Sequence, residues 1–269
     1  MIGLVSIGMT FVILTGGIDL SVGSIAAVAA VVAAGLSNQF VLIPVAIPII
    51  VGALFGCVNG LIITKLRIQP FIATLSMMLG VRGVAFIISK GEPVRSPHLS
   101  EAFTQIARGD IFGIPNFGVF FIISTITAAI VLKYTSFGRR LYAIGGKEEA
   151  ARMMGLNVDK EKVLVYTISG FFSGFAGMLL ASRLGSGQPY AASGWELNAI
   201  AAVVIGGTLL SGGVGNVINT IYGVFILGII SNAINLIGTL PYWYANLATG
   251  MILLVVILMQ SRFSAKEEL

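Results

Sequence analysis

Cysteine, histidine and charge are all scarce in this chain. Its 269 residues include one cysteine, Cys57, and one histidine, His98. A single thiol allows no intrachain disulfide, no thiolate metal cluster and no redox pair. His98 lies in a loop without a second imidazole or a cysteine, so no metal site is assigned and no cofactor is expected. One histidine and one buried acid also cannot assemble a nucleophile–base or His/carboxylate constellation, which argues against a membrane enzyme. Charged residues make up only 10% of the chain, against about 25% in soluble domains. That deficit excludes an ordinary water-covered globule, a disordered chain and a coiled coil.

What is abundant is apolar surface. Hydrophobic residues reach 57% and mean hydropathy is +0.98, so most of the outer surface must meet lipid. Amphipathic barrel strands would alternate in polarity over about ten residues. The runs here are long and unbroken, and the 34 glycines suit helices packed closely in a bilayer. The fold class is therefore all-α and polytopic, a single membrane domain over 1–269.

Nine apolar segments stand out: Met1–Thr15, Val22–Gly35, Phe40–Thr64, Phe71–Ser89, Phe117–Leu132, Val163–Leu184, Asn198–Ser211, Val214–Gly238 and Tyr244–Gln260. A helix needs about 20 residues to cross the hydrocarbon. Met1–Thr15, Val22–Gly35 and Asn198–Ser211 fall short, so they are expected to be broken, tilted or shielded by neighbouring helices. Lys65 and Arg67, the stretch 133–162 and the tail after Gln260 together hold eleven of the sixteen basic residues. The positive-inside rule puts those three on the cytoplasmic side and 89–116 outside. Basic residues clustered in short loops mark topology, so the net charge of +5 is no nucleic-acid surface. Nine spans ending inside would begin outside, and the chain opens directly into apolar sequence, so a first helix is expected to be missing.

The stretch 133–162 carries the clearest local pattern. Gly145-Gly146 reads as a flexible entry to a short helix over Lys147–Met154, which Gly155 stops as a C′ residue. Glu148 and Glu149 fall in its first turn, where the helix dipole favours acids. Ala150, Met153 and Met154 gather on one face. Such a helix either docks into a groove on another protein or is a solvated connector.

Glu149-Ala150-Ala151-Arg152-Met153-Met154-Gly155 reads E-A-A-x-x-x-G, which resembles the coupling loop of ABC importer permeases. The surrounding run Gly138–Arg152 is similar to the version in ribose/xylose-type sugar permeases, and the longer pattern with a downstream I-x-L-P is absent. Gly16-Gly17-Ile18-Asp19-Leu20-Ser21-Val22-Gly23-Ser24 resembles a signature of the same sugar permeases, as do Ile205–Asn216 and Leu236–Trp243. The resemblance implies the ten-helix cobalamin-importer-type architecture, here without its first helix, in the bacterial inner membrane. It implies coupling to an ATPase through Gly146, Lys147, Glu148, Glu149, Ala150, Ala151, Arg152, Met154 and Gly155. It also implies three kinds of partner: a cytoplasmic ATPase subunit, a periplasmic sugar-binding protein, and a second permease copy or a related permease. No G-x-x-x-x-G-K-[ST] run occurs in the sequence, so ATP hydrolysis would come from the separate subunit. The competing function is a secondary transporter driven by an ion gradient, which would call for paired intramembrane acids or basic relays.

Asp19 is the one acid read within the apolar segments, where a charge costs about 2.5–3.5 kcal/mol. It either lines the translocation path or caps the helix beginning near Val22. Asn59, Asn232 and Asn235 are the other path candidates, because amides recognise hydroxyl-rich solutes without adding charge. Arg82 is expected to snorkel towards headgroups or an outer vestibule. Finally, Gly16–Gly23 and Gly206–Gly213 share the form G-G-x-x-L-S-x-G. Matching interruptions in two halves of a chain often flank a transport path, although glycine-rich packing repeats by chance as well.

Overall fold

The computed structural model describes residues 1–96, 100–238, 241 and 243–267, the last seven as backbone only. His98 and part of the Leu236–Trp243 motif lie outside the described residues. Among the described residues, nine apolar helices correspond to the nine segments: α1 (Ile2–Leu14), α2 (Val22–Gly35), α3 (Leu42–Lys65), α4 (Pro70–Ser89), α6 (Asn116–Tyr134), α9 (Val158–Leu184), α10 (Trp195–Ile205), α11 (Val217–Ile237) and α12 (Trp243–Glu267). Three shorter helices lie between them: α5 (Glu101–Arg108), α7 (Ser136–Gly146) and α8 (Glu148–Met153). Helices α3, α4, α6, α9, α11 and α12 are long and apolar enough to cross a membrane.

The short segments are short because protein surrounds them. At about 1.5 Å per residue, the 14 residues of α2 fall well below the ~30 Å hydrocarbon thickness. Yet α1 and α2 are buried along almost their whole length, as is most of α10. Lipid never has to match their length, because neighbouring helices enclose them. Apolar side chains on the long helices stay exposed instead, among them Leu54, Ile87, Ile123 and Ile229. On a soluble protein such a girdle would be a liability, but in a bilayer it is the lipid-facing surface.

Helix α9 is the axis of the bundle, packing against α1, α2, α3 and α5. Its contact with α3 runs backbone to backbone. Gly52, Gly56 and Gly60 recur every fourth residue and so share one face of α3. A Cβ on Gly52 would lie 2.8 Å from the Gly174 Cα, and one on Gly56 3.1 Å from the Gly170 Cα. Glycine at all these positions lets two membrane helices approach as closely as their main chains permit.

Helix ends follow local chemistry. Thr135 Oγ1 accepts from the Gly138 N–H at the start of α7, and Asn157 Oδ1 from the Lys160 N–H at the start of α9. Asn216 Oδ1 does the same for Ile218 in α11. Opposite the α7–α8 end, α5 lies on α9 through Ser182, whose hydroxyl donates to the Phe103 carbonyl at 2.6 Å and accepts from the Ala107 N–H at 3.1 Å. A two-stranded hairpin, β1 (Asp110–Ile111) with β2 (Ile114–Pro115), follows it.

Candidate coupling handle and interior gate

Helix α8 is one residue shorter at each end than the expected Lys147–Met154. It ends in a Schellman motif. The Leu156 N–H donates to the Ala151 carbonyl at 3.1 Å and the Gly155 N–H to the Arg152 carbonyl at 3.0 Å. Gly155 takes φ +83° there, a left-handed conformation that costs glycine nothing. The buried residue of this turn is Ala151, packed with Ile144, Leu156 and Val158. Met153 and Met154 stand 82% and 70% exposed, and Gly146, Lys147, Glu149 and Arg152 are exposed beside them, while Ala150 is partly covered.

Charge fixes the handle to α9. Lys162 Nζ donates to Glu148 Oε2 at 2.6 Å, Arg152 reaches Glu148 Oε1 at 3.0 Å as well as Asp159, and Arg140 pairs with Glu161 at 2.7 Å. Glu148, Arg152, Asp159 and Lys162 line a cavity of about 530 Å³, together with Thr64 of α3 and with Arg67 and Gln69 from the α3–α4 turn. Desolvation alone would raise the Glu148 pKa, but Lys162 and then Arg152 outweigh it and hold the carboxyl below its ordinary range. A depressed carboxylate contributes stability above its unfolded pKa and loses it as pH falls through the folded value. Protection of the amides over 148–155, relative to their intrinsic exchange rates at each pH, is therefore expected to be high at neutral pH and to fall below the usual glutamate range. Glu148→Gln should exchange fast at neutral pH too, and protection that ignores both pH and this substitution would count against the clasp.

The entry to the handle differs from expectation. Gly145-Gly146 is no flexible linker but the end of an eleven-residue helix, α7. Gly145 is glycine because of close packing: a Cβ there would overlap the Leu14 carbonyl oxygen and the Gly213 nitrogen. The Gly213 N–H donates to that same Leu14 carbonyl at 3.0 Å. Tyr142 donates its hydroxyl to the Gly215 carbonyl at 2.9 Å, and burial pushes its pKa up, so it keeps the proton it donates. A Cβ on Gly212 would lie 2.7 Å from the Gly16 nitrogen and 3.1 Å from the Gly145 Cα. The two G-G-x-x-L-S-x-G stretches thus touch each other, and α7 touches the second of them and Leu14, the end of α1 just before the first.

Deeper in the bundle, the α1–α2 link carries a polar node. Asp19 is fully buried. Its Oδ1 accepts from the Ser21 N–H at 3.0 Å and the Ser21 hydroxyl at 2.6 Å, and its Oδ2 from Ser169 of α9 at 2.7 Å. Asn59 of α3 donates Nδ2 to Ser21 Oγ at 2.8 Å, while its buried Oδ1 makes no hydrogen bond among the described residues. Thr74 of α4 and Tyr166 of α9 donate to the Ile18 carbonyl at 3.3 and 3.4 Å. Three helices, α3, α4 and α9, therefore converge on the interruption between α1 and α2. Asp19 and Asn59 meet here, whereas Asn232 and Asn235 are exposed on α11 and do not join them.

Arg82 reaches the α9–α10 link. Its Nη1 donates to the Pro189 and Ala191 carbonyls at 2.8 and 2.7 Å, holding the α9–α10 link inside the bundle. Asp19 is also not the only acid among the apolar helices. Glu196 opens α10, accepts from the Gly194 N–H at 3.2 Å and sits so near Gly23 that any side chain there would overlap it. Starting the seventh segment at Asn198 hides this residue. The W-E-L-N run just before it is the signal that reveals it.

A bundle of buried half-length helices inside lipid-facing ones, with an exposed charged handle geared to two helix interruptions, defines a multi-pass permease. The chain belongs to the family described as branched-chain amino acid transport system / permease component, whose model matches residues 1–257. It is 42% identical to the ribose import permease protein RbsC of Bacillus subtilis (strain 168) over 98% of this chain and 82% of that protein. It is 40% identical to the L-arabinose transport system permease protein AraH of Escherichia coli (strain K12), covering 96% of this chain and 78% of that one. The inner membrane ABC transporter permease protein YjfF of the same strain is 39% identical, over 96% of this chain and 80% of its own. No solved structure is significantly similar. The chain is thus a multi-pass inner-membrane permease component of the ABC-transporter class.

Proposed function

We propose that this permease carries a small sugar across the cytoplasmic membrane by alternating access, powered by ATP hydrolysed on a separate subunit. The exposed face of α8 carries this reading. Its apolar and charged residues are left bare although the helix is clamped to α9 and geared to both interruptions, as a handle for an outside motor would be. On this view Gly146, Lys147, Glu148, Glu149, Ala150, Ala151, Arg152, Met154 and Gly155 form the cytoplasmic coupling segment within 133–162, and 89–116 faces the periplasm. A binding protein delivers the solute there, and a second permease copy or a related permease completes the passage. Asp19 and Asn59 hold the gate, and Asn232 and Asn235 meet the passage from the exposed side of α11.

A monosaccharide is favoured because the relatives named for a substrate are named for ribose and L-arabinose. The family description instead names branched-chain amino acids, which gives the experiment its second arm. Reconstituted with its ATPase and binding protein, the complex is expected to take up labelled ribose or arabinose with ATP, and not leucine. Leucine uptake would reassign the substrate, and uptake on an ion gradient alone would replace the mechanism. Glu149→Lys is expected to weaken ATPase binding by at least about tenfold, since reversing a docking charge costs ~1.4 kcal/mol or more. Gly155→Trp should do likewise by straining the left-handed stop. Membrane insertion should be intact in both, and unchanged co-purification with normal uptake would remove α8 from the coupling role.

A further inference from the structure

Helices α6 and α11 diverge and leave a groove between them that the transport chemistry does not use. One part, about 370 Å³, is lined by Phe117, Phe121, Ile122 and Phe225. A second, about 780 Å³, continues it along Ala129, Ile130 and Ile218 towards α7, and both include Thr125, Ile126 and Ile221. Its walls are apolar until the α7 end, where the character changes. Lys133, Tyr134, Arg139, Tyr142 and Asn216 gather there. Lys133 and Arg139 are both exposed, and neither makes an ion pair among the described residues. Lys133 lies 5.3 Å from the centre of the Tyr134 ring. The amino end of α11 opens at the same place, with no acid in its first turn.

We propose that this groove is a binding site for an anionic phospholipid of the leaflet nearest α7. The acyl chain lies between α6 and α11, and the phosphate is held by Lys133 and Arg139 at the amino end of α11. Polarity and sign both fit one molecule. An apolar slot needs hydrocarbon. Two unpaired cations at the depth where a membrane helix ends need an anion. The dipole at the start of α11, where Asn216 already caps the Ile218 N–H, adds to the same field. Tyr134 stands where aromatic side chains meet headgroups. A zwitterionic lipid would fill the slot equally well but would bring the cations no net charge.

Native mass spectrometry of the delipidated full chain, titrated with phosphatidylglycerol or phosphatidylcholine, tests this. Phosphatidylglycerol is expected to bind at least about tenfold tighter, from two cations near a surface charge. The Lys133→Gln/Arg139→Gln double variant should bind both lipids alike. Ala129→Trp, which plugs the slot, should lose both, and because the double variant alters only exposed side chains, the test survives if the tryptophan variant does not fold. Equal affinity of the two lipids for the unmodified chain, or a preference that persists in the double variant, overturns the site. So does a photo-crosslinker at Ile126 that captures a second copy or another helix instead of lipid in native membranes.

Discussion

Asp19→Ala is expected to be the most damaging single change in this protein. It strips the acceptor from the Ser21 amide, the Ser21 hydroxyl and the Ser169 hydroxyl, all fully buried. Each donor left without a partner costs about 1–3 kcal/mol, so the three together cost roughly 3–9 kcal/mol in additive terms. Most of a membrane domain's margin would be gone, and purified protein should lose its monodisperse peak on mild heating. Asp19→Asn separates charge from hydrogen bonding. The amide oxygen still accepts from Ser21, and the amide nitrogen can donate to Ser169 Oγ. The asparagine variant is therefore expected to fold and transport within a few-fold of the unmodified chain. If it folds yet transports nothing, the charge itself serves translocation. If alanine melts with the parent, the node does not hold the helices together.

The second large effect concerns the α3–α9 contact. Gly56→Leu would drive a side chain into the Tyr166 carbonyl and to 3.1 Å from the Gly170 Cα. Backbone cannot retreat as a flexible side chain can, so α3 must shift away from α9. Overpacking of this kind costs about 1–3 kcal/mol and often more when main chain is the obstacle. Gly80→Leu is the control, because a Cβ there meets nothing within 4 Å. The expected result is a clear drop in melting temperature for the first and a change of about 0.5 kcal/mol or less for the second. Equal behaviour of the two would mean that glycine at 56 is not needed for close approach.

Much of this architecture is legible in the residues, and the exceptions share a cause. Helices are visible because lipid enforces long apolar runs, and α2 is visible as a shielded one because V-G-S-I-A-A-V-A-A-V-V-A-A-G offers small side chains on every face. Hydrogen-bond geometry also follows locally where partners are close in sequence, as at Asp19 and Ser21. Pairings across the chain are not written in any window. Ser169 joins Asp19 from 150 residues away, and Arg82 finds its carbonyls more than 100 residues downstream. Gly145-Gly146 misleads for the same reason. Two glycines read locally as slack, but at Gly145 the glycine exists to let Leu14 and Gly213 come close. Helix α5 was hidden within 89–116 because it is only eight residues long, and its small apolar face, Phe103, Ile106 and Ala107, shows its purpose once Ser182 stands beneath it.

The contact of α7 with the end of α1 and with the second glycine-rich link has a mechanical meaning. Where main chain meets main chain there are no rotamers to absorb a displacement, and close-packed interiors pass strain onward. On the coupling role proposed for α8, a tug on it would enter α7 through the short 146–148 step and reach Leu14 and Gly212–Gly215 together, through Gly145 and Tyr142. The lipid-facing helices need not bend to carry that message. A rigid crank seated on two hinges would open both of them in the same stroke, so half-open states of one hinge alone are disfavoured by the way the backbone is nested.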